Sequence, residues 1–402
     1  MGRPAITAEQ VLRACVIKQL NGFSYSELAF HLEDSTCYRA FCRFGATSRV
    51  PSRSALQSNI KRLRSTTLET LNQAIVVHAS STKIEKGTKV RVDCTTVETH
   101  IHPPSDSALL WDVVRVVTRM MARMADRVDI PFVDHRLRAN RRRHDIRNAT
   151  RHAQRVPLYR DLVKVTEETL SAGKNMARKL EEVAETGSPD GLAFEKVARK
   201  LRGVIELGEG VLSQTRRRVF EEQSVPASEK VLSIFEPHTD LLVKGRRGPE
   251  YGHKICLSTG TSGLVLDCMI LNGNPADATL STEMVTRHRT RYQKAPKQMA
   301  FDGAFASKDN VQAIKDQGVT DVVFSKRCGL PLTAMARSSW IYKRLRDFRA
   351  GIEGCISFLK RCFGLTRCAW SGLDSFKTYV WGSIVSANLL LLARHHIAAR
   401  PT

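Results

Sequence analysis

Apolar residues recur at helical spacing through the first eighty positions of the chain. A helix is predicted over 9–20, ending at Asn21-Gly22, a pair that stops helices. Ser24 and Glu27 have the three-residue spacing of a capping box and open a second helix over 25–32. A further helix is predicted from near Ser54, with Gln57 three residues on and an apolar seam of Leu56, Ile60 and Leu63. Its other face carries Gln57, Ser58, Asn59, Lys61, Arg62 and Arg64, side chains suited to base edges and phosphates. The region 1–85 therefore reads as an all-α, helix-turn-helix-like DNA-binding domain.

From about position 88 the period changes from helical to alternating. A strand is predicted over 89–95, and the next strand signals come some 160 residues later, at 253–258 and 264–270 around a Gly260-Thr261-Ser262-Gly263 turn. A helix over 278–291, a strand over 298–302, a helix over 309–317 and a strand over 321–324 follow, and helices over 342–363 and 375–396 close the chain. This order predicts an α/β core, a mixed sheet flanked by helices, built from 86–112 and 231–396. An all-α insertion over 113–230 interrupts it. Within the insertion, Leu180, Val183, Leu201, Ile205 and Val211 mark a helical hairpin turning at Gly187-Ser188-Pro189-Asp190-Gly191.

Charge narrows the class of partner. The 402 residues hold 63 Lys and Arg against 40 Asp and Glu, a formal charge of +23 that favours a polyanion, and nucleic acid first among them. Much of the excess lies at 136–160, where nine arginines, Arg141, Arg142 and Arg143 among them, accompany the single acid Asp145. Arginines along a helix suit phosphate contacts, so the insertion is expected to touch DNA. The ten cysteines have no Cys-x-x-Cys spacing and read as reduced core residues. The first residues lack a signal pattern, and the apolar run over 379–393, broken by Gly382, Ser383 and Asn388, reads as too short for a membrane span. A cytoplasmic protein with no membrane partner is expected.

The candidate chemistry lies in three acids. Asp93 and Asp302 each end a predicted strand, so adjacent strands would bring both carboxylates to one sheet edge. At about 100° per residue, Arg346, Arg349, Glu353, Ser357 and Lys360 form one polar stripe, opposite Phe348, Ile352, Ile356, Leu359 and Phe363. Three carboxylates without a histidine cage suit a hard cation, Mg2+ or alternatively Mn2+, as in phosphodiester chemistry. Asp267 is expected to face solvent, and Asp277 to cap the next helix.

These segments together resemble the bacterial insertion-sequence transposases of the DDE type, whose catalytic core is ribonuclease-H-like. The resemblance rests on Val92-Asp93-Cys94-Thr95-Thr96-Val97, the segment from Lys244 to Lys254, Gly273-Asn274-Pro275-Ala276-Asp277, Phe301-Asp302-Gly303-Ala304-Phe305, and the stretch from Arg349 to Lys360. It implies that Asp93, Asp302 and Glu353 are the catalytic, metal-binding acids. It also implies that Arg349 and Lys360 hold DNA phosphates near the scissile bond. In the family's signature of Tyr, Arg, Glu and Lys, Arg346 stands at the tyrosine position here, and Tyr342 lies one turn earlier. The insertion after the first strand is long, as in a divergent branch of the group. The implied activity is metal-dependent nicking at element ends and transfer of the freed 3′-hydroxyl into target DNA. The implied partners are the terminal inverted repeats and target DNA, bound by a homodimer or higher oligomer in the bacterial nucleoid. Two other readings are a DNA-binding regulator that keeps the fold without cleaving, and a stand-alone nuclease.

Overall fold

Local capping fixes the amino-terminal helices. Helix α1 (Ala8–Asn21) stops at Gly22, whose φ of +67° is left-handed and suits a residue without a Cβ. Helix α2 (Tyr25–Asp34) opens on the expected capping box: the Ser24 hydroxyl accepts from the Glu27 amide at 3.2 Å, and the Glu27 carboxylate accepts from the Ser24 amide at 2.7 Å. Helix α3 (Thr36–Phe41) follows, and α4 (Arg53–Ile60) is capped by Ser52, not Ser54. Because α4 ends at Ile60, Lys61 and Arg62 lie in the exposed turn beyond it and not on its face. Their amides bond back to Gln57 and Asn59, which tightens the exit toward α5 (Ser65–Ser81). Val11, Ala14, Ile17, Leu28, Leu32, Leu56 and Ile60 form the shared core of α1, α2 and α4.

The computed structural model describes residues 6–45, 47–185, 190–243 and 248–399. It divides into one compact unit of Met1–His100 with Leu242–Thr402 and another of Ile101–Leu241. The helical unit thus spans more than the 113–230 read from the sequence, and the first 85 residues fall in the same unit as the sheet.

In the first unit, β1 (Lys89–Thr99) runs four residues past the expected 89–95, since one neighbouring strand pairs with it through Glu98 and another pairs with Glu98 and Thr99. The helical unit holds α6 (Asp106–Ala122), α7 (Ala125–Val128), α8 (Arg136–Asn148), α9 (His152–Glu185) and α10 (Gly191–Val219). Leu180, Leu201, Ile205 and Val211 are buried between these helices as their spacing implied, and Val183 is half-buried. Close packing sets Gly208 on α10, where a Cβ would meet Val113 of α6 at 2.9 Å. The expected 187–191 turn lies partly outside the described residues.

The remaining elements are β2 (Asp240–Leu242), β3 (Glu250–Thr259), β4 (Val265–Ile270), α11 (Ser281–Tyr292), β5 (Gln298–Phe301), α12 (Lys308–Asp316), β6 (Asp321–Phe324), α13 (Leu332–Met335), α14 (Ser339–Cys362), β7 (Arg367–Cys368) and α15 (Leu373–Ala398). They complete a seven-stranded mixed sheet flanked by helices, an α/β fold as expected. Strand β1 is central: β3 runs antiparallel to it and carries β4 as a hairpin, while β5 and then β6 run parallel on the other side. Val90 and Val92 face a core with Met299, Phe301, Val322 and Phe324.

Helix α15 is longer than the apolar run suggested. Its 26 residues are long and apolar enough to cross a membrane by length and composition, and 72% of the apolar window is buried inside the protein. The buried Asn388 shows why it packs here: its side chain accepts from the Val265 amide at 2.9 Å, and donates to the Val265 carbonyl at 2.8 Å and to Asn72 at 2.7 Å, tying α15 to β4 and α5. Asp267, expected at the surface, is 2% exposed and paired with Arg287 at 2.6 Å. A carboxylate facing α11 finds two arginines there, Arg287 and Arg291, which offset its desolvation.

His288 makes folding pH-dependent. Its ring is buried, stacks on Tyr292 and bonds to the Gly87 carbonyl at 2.9 Å, and burial lowers its pKa to about 4 from the ordinary 6.5. Between those values acid protonates the unfolded chain and not the folded one. The contribution is therefore complete above about pH 7 and is lost as pH falls toward 4, by about 3 kcal/mol in total. Urea unfolding at pH 7 and pH 4.5 should show that His288→Gln, which keeps a donor but cannot titrate, removes most of this slope. An unchanged slope would assign the loss to other groups.

Candidate active site

The sheet register sets the site. Val92 on β1 pairs with Phe301 on β5, and the parallel ladder ends there, so Asp93 and Asp302 leave the sheet at the same level. Asp93 lies mid-strand in β1, not at its end as expected; it is the β5 ladder that stops before it. Alternation puts Lys89, Arg91 and Asp93 on one face of β1, and α14 covers that face through its apolar side, with Ile352 and Leu359 buried. Glu353 and Arg349 therefore come down over the two aspartates.

Arg349 gathers all three acids. One terminal nitrogen is 2.8 Å from Asp93 and 3.0 Å from Asp302, and the other is 2.9 Å from Glu353. The side chains of Arg349 and Asp93 are each only 14% exposed, whereas Glu353 is 68% exposed and free to turn. Asp302 is oriented from its other side by the Ser325 hydroxyl at 2.9 Å, from the residue that follows β6. Three strands thus deliver groups to one edge.

The two aspartates differ in proton affinity. Burial pushes the Asp93 carboxyl up to about 6, opposed by Arg349 and the Cys94 amide and reinforced by Asp302 and Asp277. Burial acts on Asp302 in the same sense but is outweighed by hydrogen bonds from the Gly303 amide and Ser325 and by Arg349, so that carboxyl lies below its ordinary value. One acid is held as the anion, and its neighbour ionises more reluctantly.

Oxygen-only donors of this kind match hard divalent ions. Among the described residues no three acidic, histidine or cysteine side chains converge on a single point, because the guanidinium lies between Glu353 and the aspartates. The carboxylates of Asp93 and Asp302 suit such an ion chemically, but the Arg349 nitrogen that bridges them stands where a shared ion would lie, and Glu353 is held on the other terminal nitrogen.

Other sequence-predicted residues fall elsewhere. Arg346 is on the exposed side of α14, near Asp347 and outside the cluster. Lys360 is half-buried on the same helix, about two turns beyond Glu353. Tyr342, one turn before Arg346, is a core residue whose hydroxyl donates to the Phe324 carbonyl at 3.3 Å. Asp277 does not cap the following helix: it begins a short 3-10 turn, Asp277–Leu280, Leu280 holds the cap position of α11, and Asp277 pairs with Lys254, a lysine only 4% exposed on β3. In the helical unit, Arg141 is exposed, Arg142 is paired with Asp161 and Asp145, and Arg143 lies over the Trp111 ring.

Sequence reasoning missed Arg91. It reaches up from β1 to donate to the Phe348 carbonyl at 3.0 Å and to Thr259 at 2.9 Å, fixing α14 on the sheet two residues from Asp93. The helix makes room for it: a Cβ on Gly351 would collide with the guanidinium. An arginine on the helix-covered face of an alternating strand was the signal that could have found it.

Residues 1–62, covering α1 to α4, match a family described as Transposase domain (DUF772). That match supports a transposase family for this chain and a transposase function in general terms. No curated protein and no solved structure matches it.

Proposed function

We propose that the chain is a DDE transposase with a ribonuclease-H-like core, which nicks DNA at insertion-sequence ends and transfers the 3′-hydroxyl end into target DNA. One observation carries this reading: residues 93, 302 and 353, far apart in the chain, meet around a single guanidinium. A mixed sheet with an antiparallel hairpin on one side of β1 and two parallel strands on the other supports the ribonuclease-H-like assignment.

Asp93, Asp302 and Glu353 would hold Mg2+, or Mn2+ in its place. Bound there, such ions lower the pKa of water or a terminal hydroxyl and stabilise the departing oxygen. The chain supplies the rest. Ser325 and the Gly303 amide fix Asp302, and the Cys94 amide at 2.8 Å fixes Asp93, so both carboxylates are aimed before DNA arrives. Arg349 has two terminal nitrogens that can exchange carboxylates for a phosphodiester in the same fork geometry. Arg346 and Lys360, along the same helix, would hold flanking phosphates, while Lys61 and Arg62 beyond α4 offer cations for the end sequence. Holding two element ends calls for at least a dimer on DNA.

The test is cleavage and joining of a labelled duplex carrying the element's terminal repeat, with a plasmid as target, in Mg2+ and in EDTA. Nicked and joined products that need Mg2+ are expected. A retarded complex with neither product would favour the binding-only regulator, and nicking without joining the stand-alone nuclease.

A further inference from the structure

The nine arginines of 136–160 are not equivalent, and ion pairing divides them. Arg136 is held by Asp134, Arg138 and Arg142 by Asp161, and Arg142 also by Asp145. Two of these acids lie just outside the basic stretch, so the sequence count overstated its uncompensated charge. Three others, Arg143, Arg147 and Arg155, have no ion pair among the described residues and line one cavity of about 540 Å3 with His144.

This cavity is built within the helical unit, between α8, the start of α9 and the first turn of α6. Ser105 and Ser107 complete its polar wall, and no acidic side chain is among the described residues that line it. Two of its cations are held by groups other than carboxylates. The Arg155 Nε donates to the Ala149 carbonyl at 2.9 Å, and Arg143 bonds to His144 at 3.2 Å with its guanidinium 5.8 Å from the Trp111 ring centre. Both are therefore partly ordered yet keep their full charge. Three uncompensated guanidiniums around one concavity repel one another, and a bound polyanion relieves that repulsion. Their planar forks, unlike the point charge of an ammonium, suit phosphate oxygens in pairs.

We propose that this cavity is a site for the DNA phosphodiester backbone, read without regard to sequence, and that Arg143, Arg147 and Arg155 are the groups that contact it. The proposal rests on the reading of the chain as a DNA-processing protein. It replaces the sequence-based choice of Arg141, Arg142 and Arg143 with the three arginines that lack an ion pair among the described residues and are also gathered around one cavity.

The experiment is fluorescence anisotropy of the full chain with a labelled duplex over a series of KCl concentrations. It compares wild type with Arg143→Gln/Arg147→Gln/Arg155→Gln, the corresponding triple lysine variant, and Arg136→Gln/Arg138→Gln as a paired-arginine control. The triple glutamine variant should bind at least tenfold more weakly, and its slope of log affinity against log salt should fall by about 0.9 for each phosphate no longer neutralised. The lysine variant should recover most of the slope, since counterion release depends on charge, and this also excludes simple misfolding. The control should stay within twofold of wild type. Wild-type slope and affinity in the triple glutamine variant would overturn the site, as would an equal loss in the control or an unlabelled RNA duplex competing through these arginines better than DNA. Cleavage that depends on Asp302 but survives the triple glutamine change with unaltered binding would overturn this site and leave the transposase reading standing. Binding through these arginines without cleavage would do the reverse.

Discussion

Asp302→Asn should abolish cleavage and joining while DNA binding stays within about twofold of wild type. Against the effect of burial, the Gly303 amide, Ser325 and Arg349 hold this carboxyl below its ordinary value, so it is an anion at neutral pH. An amide of the same shape keeps an oxygen for the Ser325 hydroxyl but removes the negative charge, and with it the ligand that a hard cation needs. Losing a metal's charge stabilisation of the transition state costs about 4 kcal/mol or more, a fall in rate of at least about a thousandfold. Binding is dominated by cations facing phosphates, so removing one acid leaves it unchanged or slightly tighter. Single-turnover cleavage and anisotropy on one protein preparation measure both. Cleavage within tenfold of wild type would remove Asp302 from the chemistry.

Arg349→Met should destabilise the fold by about 3 kcal/mol, because removing one partner of a buried ion pair leaves the other charge without compensation. The relevant partner is Asp93, since that side chain and Arg349 are both only 14% exposed. The bond to Glu353 is exposed and contributes little. Lysine should restore less than half, since one ammonium cannot span three carboxylates as the fork does. The pair can be isolated by urea unfolding of Arg349→Met, Asp93→Asn and the double variant: coupling of roughly 1 to 3 kcal/mol is expected between groups that touch directly. Additive effects would mean that Arg349 acts on the fold through packing alone.

Several parts of the site are legible without any tertiary structure. The polar stripe of α14 follows from residues 349, 353 and 360 and the apolar positions opposite, and the capping box at Ser24 and Glu27 reads directly, because both are local patterns with a fixed period. The differences at element boundaries have local causes too. Ser52 and Ser54 are both competent caps, and only the geometry of the entering chain selects Ser52. The end of β1 depends on how far β3 and β7 run beside it, which the sequence of β1 alone does not contain. Asp267 reads as exposed from its strand because its two arginine partners come from α11, some 20 residues later, where nothing in the strand's alternation announces them.

The sequence by itself determined the longer helices and strands, their order and the chemical character of the acids, since propensity, capping and hydrophobic period act over a few residues, whereas the short β2, α13 and β7 were not announced by it. Only the tertiary structure decided that Asp93 and Asp302 stand level, that Arg349 joins them to Glu353, that Arg91 anchors the helix above them, and which arginines of 136–160 find an acidic partner. Each of those depends on pairing between residues far apart in the chain, where strand register and the supply of counter-charges are set by packing and not by local preference.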